Sequence, residues 1–211
     1  MTYHLAYMNL RGRGEPVRWV LKALDVSFTE ERIDVLTQWL SRKNEFEWGQ
    51  TPVLMVDGVQ LHQTTTICRY LGEKHHLAST DLWNATRQQE VVEAFHDVSF
   101  DFSLAFTARI KQDETLKNNS LEKARKRLLE IVLILESRIT DQGWVLSHDM
   151  TWVDVFLAAY LESYSAYFPE ILEGVSKTQA LMECVMALPA IKAWLKIRPH
   201  WSSLEDPQNF L

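Results

Sequence analysis

The spacing of apolar residues switches repeatedly between strand and helix periods before His76 and stays helical after it, which constrains the fold more than any single motif. Tyr3-His4-Leu5-Ala6-Tyr7-Met8 reads as a short strand. Arg11-Gly12-Arg13-Gly14-Glu15-Pro16 places proline in the first turn of a helix on which Val17, Val20, Leu21 and Leu24 recur at helical spacing. Phe28 to Ile33 predicts a second strand and Val35 to Asn44 a weak helix. Pro52 to Val56 and Val59 to His62 flank Asp57-Gly58, a pair that tolerates positive φ and so favours a tight antiparallel hairpin. A helix beginning at Thr64 then carries Ile67, Tyr70 and Leu71 on one face.

The order β-α-β-α-β-β-α is the thioredoxin-like layout, a mixed four-stranded sheet in which only the last pair is joined by a tight turn. Beyond it lie helical stripes, Val91, Phe95, Val98, Phe102 and Phe106 and then Leu121, Leu128, Val132, Leu135 and Ile139, which read as core faces. Seven glycines and six prolines in 211 residues are few, as long helices require. Thr151-Trp152-Val153-Asp154 has the spacing of a capping box before the apolar run Val155 to Leu161. Leu188-Pro189 opens the last clear helix, and His200 to Leu211 reads as an irregular tail. The expected class is α+β: a thioredoxin-like domain over 1–78 and an all-helical domain over 84–211.

Charge and cysteine usage narrow the function. The 22 basic and 28 acidic residues give a net charge of −6; nine of each fall before Leu77, so the whole acidic excess belongs to the second half. Neither half has the basic surplus that nucleic acid or an anionic membrane would attract. Arg11, Arg13 and Glu15 interrupt any apolar leader, and Ile131 to Leu135 is far too short to span a membrane. Cys68 and Cys184 form neither a disulfide framework nor a Cys-x-x-Cys pair, which points to a reducing, cytoplasmic compartment and against dithiol exchange. Cys68, between Ile67 and Arg69, reads as a small buried hydrophobe.

Without its own cysteine pair, the recurrent functional corner of a thioredoxin-like sheet is suited to another molecule's thiol. A cis Pro52 opening the third strand would leave the Thr51 amide and carbonyl free to pair with an extended peptide. Tyr7, at the end of the first strand, offers a hydroxyl of ordinary pKa about 10 that can donate to a thiolate without losing its own proton. Gln63-Thr64-Thr65-Thr66 brings helix-start amides, a helix dipole and hydroxyls together, as a carboxylate site does, and Thr64 can equally serve as a plain N-cap.

Tyr7-Met8-Asn9-Leu10-Arg11-Gly12-Arg13-Gly14-Glu15, Trp39, Lys43, Gly49-Gln50-Thr51-Pro52-Val53-Leu54, Val56-Asp57-Gly58 and Leu61-His62-Gln63-Thr64 through Leu71 together resemble the sigma-class glutathione transferases, and the resemblance continues to Lys196-Ile197-Arg198-Pro199. It implies that Tyr7 hydrogen-bonds the glutathione sulfur and that Arg13 lies near the thiol and the electrophile. By the same resemblance Trp39, Lys43 and Gln50 surround the glycyl end, Thr51 pairs with the cysteinyl unit, and Gln63 and Thr64 bind the γ-glutamyl carboxylate. Asp97 matches a carboxylate that reaches the partner's γ-glutamyl end, which implies a homodimer. Met8, Arg13, Phe102, Leu104 and Phe156 are the expected second-substrate pocket.

Some positions depart from that pattern. Met8 replaces an aromatic residue, and Glu47-Trp48-Gly49 replaces Pro-Phe-Gly. His96 replaces one of three carboxylates that hold a divalent cation at the interface in some members, so no metal is expected. Leu104 stands where the prostaglandin D synthases of this class carry tryptophan, which counts against that isomerase activity. The tail beyond Pro199 is longer than the family pattern, and Trp201 and Phe210 give it aromatic weight to fold near the site. The expected activity is conjugation of glutathione to apolar electrophiles, a detoxification chemistry with peroxidase or isomerase side activity. A non-catalytic, crystallin-like ligand binder is the alternative.

Overall fold

The computed structural model describes residues 1–210; Leu211, the last residue of the expected tail, lies outside the described residues. Strand β1 (Tyr3–Met8) lies inside a sheet of order β2-β1-β3-β4, parallel to β2 (Thr29–Ile33) and antiparallel to β3 (Val53–Val56), which pairs with β4 (Val59–His62). Asp57 and Gly58 both adopt positive φ, 48° and 86°, the twist that a two-residue hairpin needs. β2 is an edge strand, and its Thr-Glu-Glu-Arg sequence keeps that edge hydrated.

Helices α1 (Glu15–Ala23) and α3 (Thr64–Lys74) accompany the sheet. Between them the expected helix over Val35 to Asn44 is much shorter: α2 covers Trp39–Arg42 and a 3₁₀ turn follows over Lys43–Glu45. The segment buries no residue of α2, so nothing rewards a longer helix. Instead the Asp34 carboxylate accepts from the Leu36 and Thr37 amides at 3.0 and 2.8 Å and holds a local turn.

The remaining elements are helical: α4 (Leu82–Ile110), α5 (Glu114–Arg138), α6 (Trp152–Ser165), α7 (Ser176–Ala187), α8 (Pro189–Ile197) and a last turn α9 (Pro207–Phe210). α6 is apolar on every face and is almost wholly buried, against α1 and α3 on one side and α7 on another. The capping box forms, with Asp154 accepting from the Thr151 amide at 2.7 Å, and the same carboxylate also accepts from the Val145 amide at 2.8 Å. One continuous core runs from Tyr3 and Leu5 of the sheet through α1, α3 and α6 to Trp194 and Phe210.

A buried ionic cluster joins the beginning of the chain to its later helices. Glu15 accepts from Arg18 (3.0 Å), the Trp19 and Trp194 indoles (both 3.0 Å) and Arg198 (3.2 Å). Arg18 also donates to the Leu10 carbonyl at 2.9 Å and so supports the loop after β1. Burial alone would raise the Glu15 pKa, but Arg18, the Trp194 indole and Arg198 outweigh it and hold the carboxyl below its ordinary range.

Candidate active site

Tyr7 is the next-to-last residue of β1, and the loop that follows the strand wraps its ring. A Cβ added at Gly12 would lie 2.6 Å from the Tyr7 hydroxyl oxygen, and one at Gly14 would lie 2.4 Å from the ring, so only glycine permits this approach. Gly12 also takes a positive φ of 33°. The Arg13 amide donates to the Tyr7 hydroxyl at 2.9 Å. Burial raises the phenol pKa, the nearby Glu205 adds to the rise, and the Arg13 amide opposes it; the net direction is up. Tyr7 is therefore a neutral phenol whose own proton is free to be donated.

Tyr7 opens onto a cavity of about 700 Å³ between the sheet edge and the helical half. Met8, Arg13, Trp39, Lys43, Gln50, Thr51 and Phe102 line it as well. The Thr51-Pro52 bond is cis. Trp39 stacks on Phe46 with ring centroids 6.0 Å apart. Arg42 is engaged by Glu31 and Glu45, whereas Lys43 has no carboxylate partner among the described residues and stands at the cavity as an available cation. Thr51 Oγ1, Ser163 Oγ and the Tyr164 hydroxyl are buried without a hydrogen-bond partner among the described residues, and all three residues line the same space.

Gln63 and Thr64 lie at the start of α3, outside the lining of that cavity. Gln63 is exposed and takes an unusual φ of 70° as the residue before the helix. The Thr64 hydroxyl does not cap α3; it donates to the Arg13 carbonyl at 3.1 Å and ties the helix start to the Tyr7 loop. Asp97 is half exposed on α4 and pairs with Arg127 of α5 at 2.7 Å. His96 is buried beside Tyr160, 3.2 Å from its hydroxyl, and burial together with the Arg13 charge lowers its pKa to about 4. Among the described residues, no three His, Cys, Asp or Glu side chains gather to ligate a metal. Cys68 is fully buried and its thiol is pushed up by burial.

Two expected pocket residues lie elsewhere. Phe156 is fully buried in the core between Trp152 and Tyr160, and the cavity is lined instead by Tyr160 and Tyr164, one and two turns further along α6. Leu104 is 44% exposed on the outer side of α4, whereas Ser99, Phe102, Ser103, Phe106 and Thr107 form the face toward the cavity. The stripe that buries Val91, Phe95 and Val98 thus becomes a cavity wall at Phe102 and Phe106 rather than continuing as core. Arg13 crosses to this wall, donating to Ser99 Oγ at 3.0 Å with its guanidinium 4.3 Å from the Phe100 ring.

The tail supplies the rest. Trp201 stacks on the Arg11 guanidinium at 3.6 Å, Phe210 packs against Tyr167 at 5.7 Å, and the Ser203 carbonyl accepts from Arg109 at 3.1 Å. Trp201, Glu205 and Phe210 all line the cavity. The Glu205 carboxylate accepts from the Arg11 amide at 2.7 Å, and its backbone carbonyl accepts from the Tyr167 hydroxyl. Burial raises the Glu205 pKa to about 7 against the opposing pull of the Arg11 amide and the Arg11 and Arg18 charges. No sequence motif announces Glu205: it is one carboxylate in a tail without clear periodicity.

Residues 3–73 match the N-terminal domain of glutathione S-transferases, and residues 96–198 match their C-terminal domain. The chain is 31% identical to human hematopoietic prostaglandin D synthase over 201 residues, covering 94% of this chain and 97% of that protein. It is 29% identical to glutathione S-transferase 1 of Ascaris suum, covering 93% and 97%. Among solved structures, prostaglandin synthase D of Nilaparvata lugens superposes with a TM-score of 0.83 at 33% identity, covering 95% of this chain and all of that one. With both domains matched and relatives aligned over nearly their whole length, the chain belongs to the glutathione S-transferase family.

Proposed function

We propose that this glutathione transferase conjugates the glutathione thiolate to apolar electrophiles, with Tyr7 donating its hydroxyl proton to the sulfur as a hydrogen bond. The observation that carries the reading is the state of Tyr7: a protonated phenol, positioned by the Arg13 amide, facing a cavity large enough for a tripeptide and a second substrate. A hydrogen bond strengthens as charge develops on sulfur, so it lowers the thiol pKa from its reference of about 8.5. Lys43, Gln50 and Trp39 take the glycyl end, Thr51 the cysteinyl backbone, and Gln63 and Thr64 the γ-glutamyl carboxylate at the start of α3, where helix amides favour an anion.

The proposal extends to a cytoplasmic, sigma-class homodimer in which Asp97 supports the partner's γ-glutamyl end. His96, buried against Tyr160, replaces a cation-binding carboxylate, so the dimer interface is assigned no metal. Met8, Arg13 and Phe102 line the electrophile side, joined by Phe106, Tyr164 and Tyr167. The prostaglandin D synthases among the relatives favour one side activity, a prostaglandin-directed isomerisation. Retention on immobilised glutathione combined with turnover of a chloronitroaromatic acceptor tests the reading; a crystallin-like binder would fail the second measurement.

A further inference from the structure

Among the described residues that line the cavity, Glu205 of the tail carries the only carboxyl group, beside Tyr167, Trp201 and Phe210. Glu205 lines the cavity with Tyr7, and the same loop holds both groups: the Arg13 amide donates to the Tyr7 hydroxyl at 2.9 Å and the Arg11 amide to a Glu205 oxygen at 2.7 Å. The two amides are two residues apart, so no more than about 7 Å of chain separates them. The second Glu205 oxygen accepts no hydrogen bond from the described residues. Glu205 is held on its backbone side as well, where its carbonyl accepts from Tyr167.

We propose that Glu205 is a general acid of the electrophile subsite, delivering a proton to the oxygen on which charge develops when the thiolate adds to a conjugated carbonyl compound. The inference rests on the reading of Tyr7 given above. In such an acceptor the attacked carbon and the carbonyl oxygen are three bonds apart, so one polar group can address sulfur while the other addresses oxygen. The carbon–sulfur bond forms as the carbon–carbon π pair moves to give an enolate. The Glu205 proton passes to the enolate oxygen, and the enol reverts to the carbonyl product. The proton released when the glutathione thiol ionises restores the acid, so no further reactant is consumed.

The surroundings keep the acid in its neutral form. Tyr7 from β1, Glu15 from α1 and Tyr167 after α6 face it, while Arg11 and Arg18 are the cations that oppose its protonation. On its other side Arg198 and His200 share a small cleft with it. Desolvation outweighs these cations and lifts the carboxyl to about 7, which lets it donate near neutral pH. A chloronitroaromatic acceptor expels chloride and needs no proton, so it serves as the internal reference.

The test is kcat/KM of the wild type and of Glu205→Gln, which retains an oxygen to accept from Arg11, for a medium-chain 2-enal and for a chloronitroaromatic between pH 5.5 and 8.5. The variant is expected to lose about 10²-fold more activity toward the enal than toward the chloroarene. The enal-to-chloroarene ratio of the wild type should fall above about pH 7, and that of the variant should stay flat. Equal losses toward both acceptors would make Glu205 a packing residue and overturn the proposal, as would a wild type that conjugates the chloroarene and ignores the enal. If neither acceptor is turned over, the assignment of Tyr7 fails first and that of Glu205 with it.

Discussion

On the wall of the cavity proposed to take glutathione, Tyr7, Arg13, Trp39, Lys43, Gln50 and Thr51 all come from the first 51 residues and sit near a strand end, on the short helix α2 and on turns and loops. On the wall proposed for the electrophile, Ser99, Phe102 and Phe106 come from α4, Tyr160 and Tyr164 from α6, and Trp201, Glu205 and Phe210 from the tail. The first wall depends on local chain geometry: glycines against Tyr7, a cis proline after Thr51, and at Lys43 a cation with no carboxylate partner among the described residues. The second depends on which way long helices are rotated and on where a remote segment docks. On the proposed assignment, polar recognition rests on local chain geometry, while apolar selectivity rests on tertiary packing that other substitutions can change.

Replacing Glu15 by Gln attacks what the two walls share, because that carboxylate joins α1 to Trp194 and Arg198. Arg18 keeps Glu30 at 2.6 Å but loses the more buried of its two carboxylates, which should cost about 3 kcal/mol in denaturant unfolding. The two carboxyls also respond oppositely to pH. Glu15 is held below its ordinary value, so its contribution is present above about pH 4.5 and is lost as the pH falls below that. Glu205 is raised to about 7, so its contribution is complete below about pH 4.5 and is lost as the pH rises through 7. Between pH 5 and 7.5 the wild type should lose stability, of order 3 kcal/mol, that Glu205→Gln retains.

Gly14→Ala separates the walls by damaging only the first. The new Cβ would sit 2.4 Å from the Tyr7 ring and displace it, with a loss of about 10²-fold in kcat toward every acceptor. Lys43→Ala should raise the KM for glutathione about tenfold with little change in kcat, the signature of a contact made equally in ground and transition states. The smallest effect is expected at Leu104, whose outward position predicts that Leu104→Ala changes kcat/KM by no more than about 0.5 kcal/mol, while Phe102→Ala shifts the KM of apolar acceptors several-fold.

The same contrast explains what could be read from the residues alone. The alternation of periods gave the strand and helix order, Asp57-Gly58 the hairpin, and Thr151 with Asp154 the cap, because each is a local device. The segment from Val35 to Asn44 misled because its helix-like spacing puts only Trp39 against a buried cluster and α2 buries no residue fully. Phe156 and Leu104 were misplaced for related reasons: α6 is apolar all round, and α4 changes the use of its stripe along its length, so neither sequence indicates which residues face the cavity. Nothing beside Glu15 in the sequence marks its burial, because two of its partners, Trp194 and Arg198, lie about 180 residues away. Glu205 was invisible in the same way, since its burial is produced by Arg11, Tyr167 and the docked tail rather than by its neighbours in sequence.

The central claim is that the Tyr7 hydroxyl stabilises a thiolate, and it is tested most directly by titrating the thiolate absorbance of bound glutathione in the wild type and in Tyr7→Phe. The wild type should ionise its bound thiol well below the reference of about 8.5, and the variant should return it close to that value with kcat lower by about 10²–10³-fold. Identical titration curves in the two proteins would contradict the account.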